Sequence, residues 1–165
     1  MGYRSEVAYI VSFENAQQPE VAHKNYLMFQ AWVKGHSVPI TEDQSFASGI
    51  KQIETGEFHT YEEMFKDQTE QYFFRWYPEQ SMIAFYNHWT KWYESFPEVQ
   101  WHMFLLDKVA EFGGAARFIR IGEDYEDVEV KEYGDASVSM YGQLDVVRHI
   151  SLSLPHESST NEEAA

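Results

Sequence analysis

The sequence predicts a single α+β domain, with a mostly antiparallel sheet and helices packed on one of its faces. Short runs of β-branched and aromatic residues, typical of strands, alternate with two longer segments that carry apolar residues at helical spacing. Their order is strand, helix, two strands, helix and three strands, with short helical turns after the first helix. This order fits a ferredoxin-like βαββαβ core with a C-terminal β extension. The chain of 165 residues has the usual size of one domain, which we place at residues 1–154.

In the first half of the chain, turn residues and caps mark the boundaries of the predicted elements. Proline fits the first turn of a helix and glycine commonly ends one, so Pro19 and Gly35 delimit the first helix. Thr41 and Gln44 have the spacing of a capping box, in which each side chain satisfies a free backbone donor of the other residue. The predicted elements are a strand at 7–13, the helix at 19–35, short helical turns after Thr41 and at 60–65, and a hairpin of strands at 71–77 and 82–86.

In the second half, the strongest local signal is a second capping box formed by Ser95 and Glu98, with Pro97 in the first turn of the helix. The helix that follows carries apolar residues along one face and stops at Gly113 and Gly114. Strands are predicted at 116–121, 127–133 and 146–154. Residues 155–165 are polar and acidic and predict a disordered tail.

Charge and composition exclude several classes of function. Twelve Lys and Arg face 27 Asp and Glu, which gives a formal net charge of −15. This field repels phosphates and anionic lipids, so we expect no direct nucleic-acid or membrane binding and favour a partner with a basic surface. Without cysteine, disulfides and thiolate sites are excluded. The N-terminus shows no secretory signal and no apolar run approaches the length of a membrane span, so we expect a cytoplasmic protein.

The strongest candidate for a binding surface is the acidic stretch between Glu123 and Asp135, which holds seven acids, one base and two tyrosines. Carboxylates at near-phosphate spacing, with rings between them, can imitate a nucleic-acid backbone and dock on a basic groove. The alternative is an edge hairpin that its charges protect from aggregation. The predicted partner-binding residues are Glu123, Asp124, Tyr125, Glu126, Asp127, Glu129, Glu132 and Tyr133.

Two alternative functions follow from other features of the sequence. His88-Trp89-Thr90 and His149-Ile150-Ser151 fit the pattern of two-histidine phosphoesterases, in which each strand presents a histidine for acid–base work and a hydroxyl that holds the phosphate. The catalytic candidates for such an enzyme, acting on a cyclic or oligonucleotide signal, are therefore His88, Thr90, His149 and Ser151. The aromatic content of 17% leaves open a small-molecule sponge with a ring-lined pocket.

Metal and cofactor sites have little support. His59 with Glu62 or Glu63, and Glu98 with His102, have the spacing at which two ligands share a helix face. No third or fourth ligand is implied, so we interpret both pairs as solvated helix faces and predict no metal site. The common nucleotide, hydrolase and zinc-peptidase signatures do not occur, and we predict no cofactor.

Three segments resemble small accessory proteins of tailed bacteriophages. They are the N-terminal MGYRSEV at 1–7, KWYESFPEVQ at 91–100 and FIRIGED at 118–124, and the resemblance extends over residues 1 to about 150. This group brings no catalytic residues with it. The resemblance implies a protein made in the cytoplasm of a bacterial host that binds host machinery. With the acidic charge, it leads us to expect an inhibitor of a host nucleic-acid-handling or defence protein.

Overall fold

The protein is described by a computed structural model that covers residues 2–15, 17–39 and 58–134. Its elements confirm the α+β class. In chain order they are β1 (Ser5–Ser12), α1 (Pro19–Gly35), β2 (Ser37–Pro39), β3 (Phe58–Thr60), α2 (Tyr61–Met64), β4 (Tyr72–Tyr77), β5 (Met82–Thr90), α3 (Pro97–Val109), a short 3-10 turn (Ala110–Phe112), β6 (Ala115–Gly122) and β7 (Val128–Gly134).

The five long strands form one antiparallel sheet in the order β4-β5-β1-β6-β7. Within it, β1, α1, β4, β5, α3 and β6 make up a βαββαβ unit whose first strand lies between the third and the fourth. This is the arrangement of a ferredoxin-like sheet, and β7 extends it by one strand. Strands β2 and β3 pair separately as a two-stranded sheet.

The core lies between one face of the sheet and the helices α1 and α3. Tyr9 of β1 stands opposite Phe85 on one neighbouring strand and Phe118 on the other. Phe29 of α1 and Trp101 of α3 are fully buried in the same cluster. Each such side chain contributes about 1.5–3 kcal/mol when it is fully buried. Many of the surplus rings therefore stabilise the core.

The predicted capping box at the start of α3 is wrong. Phe96 is the N-cap and makes no side-chain cap bond, while Pro97 and Glu98 are the first two helical residues. The ring of Phe96 is buried and packs edge-on against Tyr93, with 5.0 Å between the ring centroids. Burying this ring is worth about 1.5–3 kcal/mol, whereas a serine cap contributes about 1 kcal/mol. The helix therefore starts where Phe96 can be buried, and Glu98 is left without a capping role.

A capping box does form at α2, where the sequence predicted only a helical turn. The backbone N–H of Glu63 donates to Thr60 Oγ1, and Thr60 N donates to Glu63 Oε1. At the other end of α3, Gly113 adopts a left-handed φ of 82°, which confirms the predicted stop. The capping box at Thr41, the strand at 146–154 and the tail at 155–165 lie outside the described residues. No helix of the described part is long and apolar enough to cross a membrane.

Candidate functional site

A cavity of about 610 Å³ lies at the end of the sheet where β1 begins and β5 ends. Its walls come from these two strand ends, from α2 and from the first turns of α3. We call it the Glu98 cavity, after the carboxyl group in its wall. Volumes of about 300–1,000 Å³ are typical of sites that bind small molecules.

A bulge in β5 shapes one wall of this cavity. Ser5 of β1 pairs with Thr90, but Val7 pairs with Asn87, so β5 uses one more residue than β1 over this stretch. As a result, Asn87 and Thr90 both line the cavity. His88 between them is exposed, and its Nδ1 lies 3.1 Å from the hydroxyl of Tyr86.

Glu98 contributes a carboxyl group that no other described residue compensates. It sits in the first turn of α3 and makes no hydrogen bond or ion pair within the described part of the chain. Burial raises its pKa to about 7, because removing a carboxylate from water disfavours the charged form. Near neutral pH the group can therefore either donate or accept a proton.

His102 lies one turn further along α3 and is held by Tyr9. The Nδ1 atom of His102 is 2.7 Å from the hydroxyl of Tyr9, and both residues are buried. Burial lowers the pKa of His102 well below its ordinary value and raises the pKa of Tyr9. The imidazole is therefore neutral and the phenol keeps its proton. Nδ1 is the one hydrogen-bond partner of this phenol among the described residues, so we assign Tyr9 as the donor and place the imidazole proton on Nε2.

Two cations line the same cavity. Arg4 precedes β1 and Lys91 follows β5, and neither side chain forms an ion pair with a described residue. The stem of Lys91 packs on Gly2, where an added Cβ would meet Lys91 Cε at 2.7 Å. The backbone N–H of Tyr3 also donates to the hydroxyl of Tyr93 at 2.7 Å. These contacts fix the N-terminal segment against the loop that leads into α3.

Aromatic rings make up much of the remaining wall. Phe85 stacks obliquely on His102 with 4.1 Å between the ring centroids, and Trp92 lies 5.4 Å from the same imidazole. Tyr72 also lines the cavity, and its hydroxyl donates to the carbonyl of Met64 at 2.7 Å. Burial raises the pKa of Tyr72, and the nearby charge of Glu98 raises it further.

The histidine and carboxylate pairs noted in the sequence meet at this site. His59, Glu63, Glu98 and His102 all line the cavity. His59 and His102 are buried, so their interpretation as parts of solvated helix faces was wrong. Burial also lowers the pKa of His59. Within the described ranges, no three histidine or carboxylate side chains lie close enough to share a metal ion.

Of the predicted phosphoesterase residues, the described part of the chain contains His88 and Thr90, and these two do not share the cavity. Thr90 lines the Glu98 cavity, whereas His88 is exposed and does not line it. The bulge separates the two side chains, because residues two apart share a face only in a regular strand. The second predicted pair, His149 and Ser151, lies outside the described residues.

Four of the predicted partner-binding residues pair with arginines of β6 or pack against the core. Arg120 donates to both carboxylate oxygens of Asp127, at 2.7 and 3.1 Å, and to Glu129 at 3.0 Å. Arg120, and then Tyr3, hold the pKa of Asp127 below its ordinary value. Glu132 forms an ion pair with Arg117. Tyr133 is half-buried and packs against the core cluster.

The other half of the predicted partner-binding residues forms the turn between β6 and β7. Glu123, Asp124, Tyr125 and Glu126 are all exposed there, and 76% of Tyr125 is accessible to solvent. One carboxylate oxygen of Glu123 accepts a hydrogen bond from the backbone N–H of Arg4 at 2.6 Å. All four residues of the turn are therefore exposed, whereas Glu132 is the one exposed residue among the four predicted residues Asp127, Glu129, Glu132 and Tyr133.

Sequence reasoning did not find the Glu98 cavity as a site. The one signal was the spacing of Glu98 and His102, four residues apart on one helix. Arg4, Lys91 and Thr90 come from other parts of the chain and meet these residues only in the folded protein. Comparisons with models of protein families, with curated proteins and with solved structures found no match for this chain.

Proposed function

We propose that this protein is a binding protein and that its ligand is a small molecule held in the Glu98 cavity. The observation that carries the proposal is a partly buried carboxyl group, without a partner among the described residues, in the wall of a cavity of about 610 Å³. A group in this state costs folding free energy, and a ligand that contacts it can recover part of that cost. This is the small-molecule sponge that the aromatic content left open.

The resemblance to phage accessory proteins supports a ligand of host origin. A protein made during infection that sequesters a host metabolite or signal would need a preformed cavity and no further machinery. Turnover of the ligand is compatible with the same site, because Glu98 titrates near neutral pH. The proposed binding function does not require it.

Thermal shift against a library of bacterial metabolites tests the proposal. A ligand at a hundredfold excess over its Kd adds about 2.7 kcal/mol to the free energy of unfolding, which raises the Tm by several degrees. Thr90→Trp places a large side chain in the cavity wall and should abolish the shift. His88→Trp is the matched control, since His88 lies two residues away, is exposed and does not line the cavity. A ligand that stabilises both variants equally would bind elsewhere and contradict the proposal.

A second candidate function is docking of a basic host protein on the turn between β6 and β7. The exposed carboxylates of Asp124 and Glu126 favour it, because neither side chain makes an ion pair with a described residue. Their negative charge would steer a basic nucleic-acid-handling or defence protein toward the turn. This is the acidic inhibitor that the sequence led us to expect, with its contact surface narrowed to the turn.

Charge reversal tests this second candidate. Asp124→Lys with Glu126→Lys should abolish capture of a basic protein from bacterial lysate, and the captured protein should elute from the wild type at moderate salt. Reversal of Glu14 and Glu79, which are also exposed but lie elsewhere, should leave the capture intact. If both double variants capture the same proteins as the wild type, the turn is not the contact surface.

A further inference from the structure

The chemistry of the cavity wall defines a ligand class. We propose that the Glu98 cavity binds a small organic anion that carries a flat ring, and that binding adds a proton to the carboxylate of Glu98. This inference rests on the proposed small-molecule function and specifies its ligand. It draws on the charges, the hydrogen-bond donors and the rings of the wall.

The charges of the wall favour an anion over a cation or a neutral molecule. Arg4 and Lys91 bring two positive charges that no described residue neutralises, although the chain has a net charge of −15. Glu63 brings one negative charge, but its carboxylate is already hydrogen-bonded to Thr60 in the cap of α2. Once Glu98 is protonated, the cations outnumber the remaining carboxylate. An anionic ligand then supplies the missing negative charge.

The neutral groups of the wall support the same choice. The hydrogen bond from Tyr9 to Nδ1 of His102 leaves Nε2–H as the donor that this ring can offer to a ligand. Protonated Glu98 offers an O–H donor as well. Hydrogen-bond donors of this kind suit the oxygens of a carboxylate, sulfonate or phosphate.

The rings of the wall favour a flat group attached to the anion. Phe85, Trp92, Phe96 and Tyr72 all line the cavity. Aromatic faces and edges of this kind hold planar groups by stacking, worth about 0.5–1.5 kcal/mol per pair beyond burial. Aromatic acids and nucleotides share this combination of ring and negative charge.

The proton uptake follows from the electrostatics of the site. Glu98 is about half ionised near pH 7, because burial raises its pKa to about 7. A bound anion adds negative charge nearby and favours the protonated form further. The proton comes from the buffer and forms an O–H bond on Glu98. The other titratable and charged groups of the wall are Arg4, His59, Glu63, Tyr72, Lys91 and His102.

Burial lowers the pKa values of His59 and His102 below the ordinary value of an imidazole and raises the pKa of Tyr72, so all three are moved away from the range just above neutrality. A loss of affinity between pH 7 and pH 8 therefore reports on Glu98, and a pH dependence that disappears in Glu98→Gln separates this group from His59.

Calorimetric titration with benzenesulfonate tests the inference, because this ring-bearing anion does not itself titrate between pH 6 and 8. We expect the affinity for benzenesulfonate to fall about tenfold from pH 6 to pH 8, because binding is linked to the uptake of one proton by Glu98. At pH 7 the binding heat should depend on the ionisation heat of the buffer, with a slope of about half a proton. An affinity that is the same at both pH values would overturn the inference.

Three variants of the cavity wall and one control variant locate the effect. Glu98→Gln should bind benzenesulfonate as the wild type does at pH 6 and lose the pH dependence. Arg4→Gln and Lys91→Gln should each weaken binding about tenfold at both pH values, as expected for loss of a charge-assisted contact. Lys24→Gln removes an exposed charge on α1 and should change nothing. A pH dependence that survives Glu98→Gln, or equal losses in all three cation variants, would contradict the inference.

The neutral analogue benzamide separates this inference from the proposed function. If benzamide binds as tightly as benzenesulfonate and Thr90→Trp blocks both, the cavity binds small molecules but is not selective for anions. If neither compound binds at millimolar concentration, the inference fails as well. If benzenesulfonate binds and benzamide does not, competition of bound benzenesulfonate by AMP or by 4-hydroxybenzoate distinguishes a nucleotide from an aromatic acid as the ligand.

Discussion

Glu98 shows how burial of a neighbouring residue can override a local sequence signal and leave a carboxyl group without its predicted role. The spacing of Ser95 and Glu98 predicts a capping box, yet burial of Phe96 moves the helix start and releases the carboxyl group. The released group lines a cavity in place of satisfying a backbone donor. Its cost to stability comes from burial without a partner among the described residues, and the same state leaves the group open to the ligand that we propose.

The cost of Glu98 predicts a stability change that depends on pH. Its pKa is raised from an ordinary value of 4.5 to about 7, so the folded state binds the proton more tightly than the unfolded state does. The contribution of Glu98 to the stability of the wild type therefore falls as the pH rises from about 4.5 through 7. Glu98→Gln should be more stable than the wild type by about 1–3 kcal/mol at pH 8 and equal to it at pH 4.

Urea unfolding at pH 4, 6 and 8 measures this difference. Glu94→Gln is the matched control, because Glu94 is exposed in the preceding turn and its replacement should change stability by less than about 0.5 kcal/mol. If Glu98→Gln gave the same difference from the wild type at all three pH values, burial of an ionised Glu98 would not be its cause.

At the scale of elements, the guanidinium of Arg120 joins three separate segments. It bonds to Asp127 in the turn, to Glu129 in β7 and to Ser5 Oγ at the start of β1. Burial of Glu129 opposes its ionisation, but the pairs with Arg120 and Lys131 outweigh this and lower its pKa. The hairpin acids that the sequence assigned to a partner therefore anchor the edge strand to the sheet.

Removing this cation should destabilise the edge of the sheet. Arg120→Gln leaves two partly buried carboxylates without their partner, and we expect a loss of about 1–2 kcal/mol at pH 7, since the pairs are partly exposed. Both carboxylates have lowered pKa values, so this stability is present above their ordinary pKa and is lost as the pH falls through the lowered values. The difference between variant and wild type should therefore shrink toward pH 3.

Chemical unfolding at pH 7 and pH 3 checks the role of Arg120. Lys108→Gln removes an exposed pair with Glu111 and should cost less than about 0.5 kcal/mol. Amide exchange in β7 should quicken in Arg120→Gln and not in the control. An Arg120→Gln protein as stable as the wild type at pH 7 would show that the network contributes nothing measurable.

At the scale of the whole molecule, the net charge of −15 should make stability depend on salt. Like charges repel more strongly in the compact state than in the unfolded chain, and salt screens this repulsion. We expect the Tm to rise by about 2–4 °C between 20 and 300 mM NaCl, which corresponds to about 1 kcal/mol. The double variant Asp124→Lys with Glu126→Lys makes the net charge less negative and should therefore reduce the rise of the Tm with salt. A Tm that falls with salt would mean that internal ion pairs outweigh the repulsion.

The fold could be predicted from the sequence because its signals are local. The β-branched and aromatic run of β1 and the proline and glycine that bound α1 depend on neighbours within a few residues. The chain order of these elements then leaves few ways to cover one face of an antiparallel sheet. The start of α3 was predicted wrongly because burial of Phe96 depends on residues far along the chain.

The sequence by itself determined the α+β class, the bounds of α1, the hairpin of β4 and β5, and an acidic surface charge. Only the tertiary structure decided which acids are free, because Arg120 pairs with the acids of β7 across the sheet. It also assembled the cavity in which we propose that a ligand binds. Arg4, Lys91 and Glu98 share a cavity through pairing of β1 with β5 and packing of α3, and periodicity in sequence carries no record of such long-range contacts.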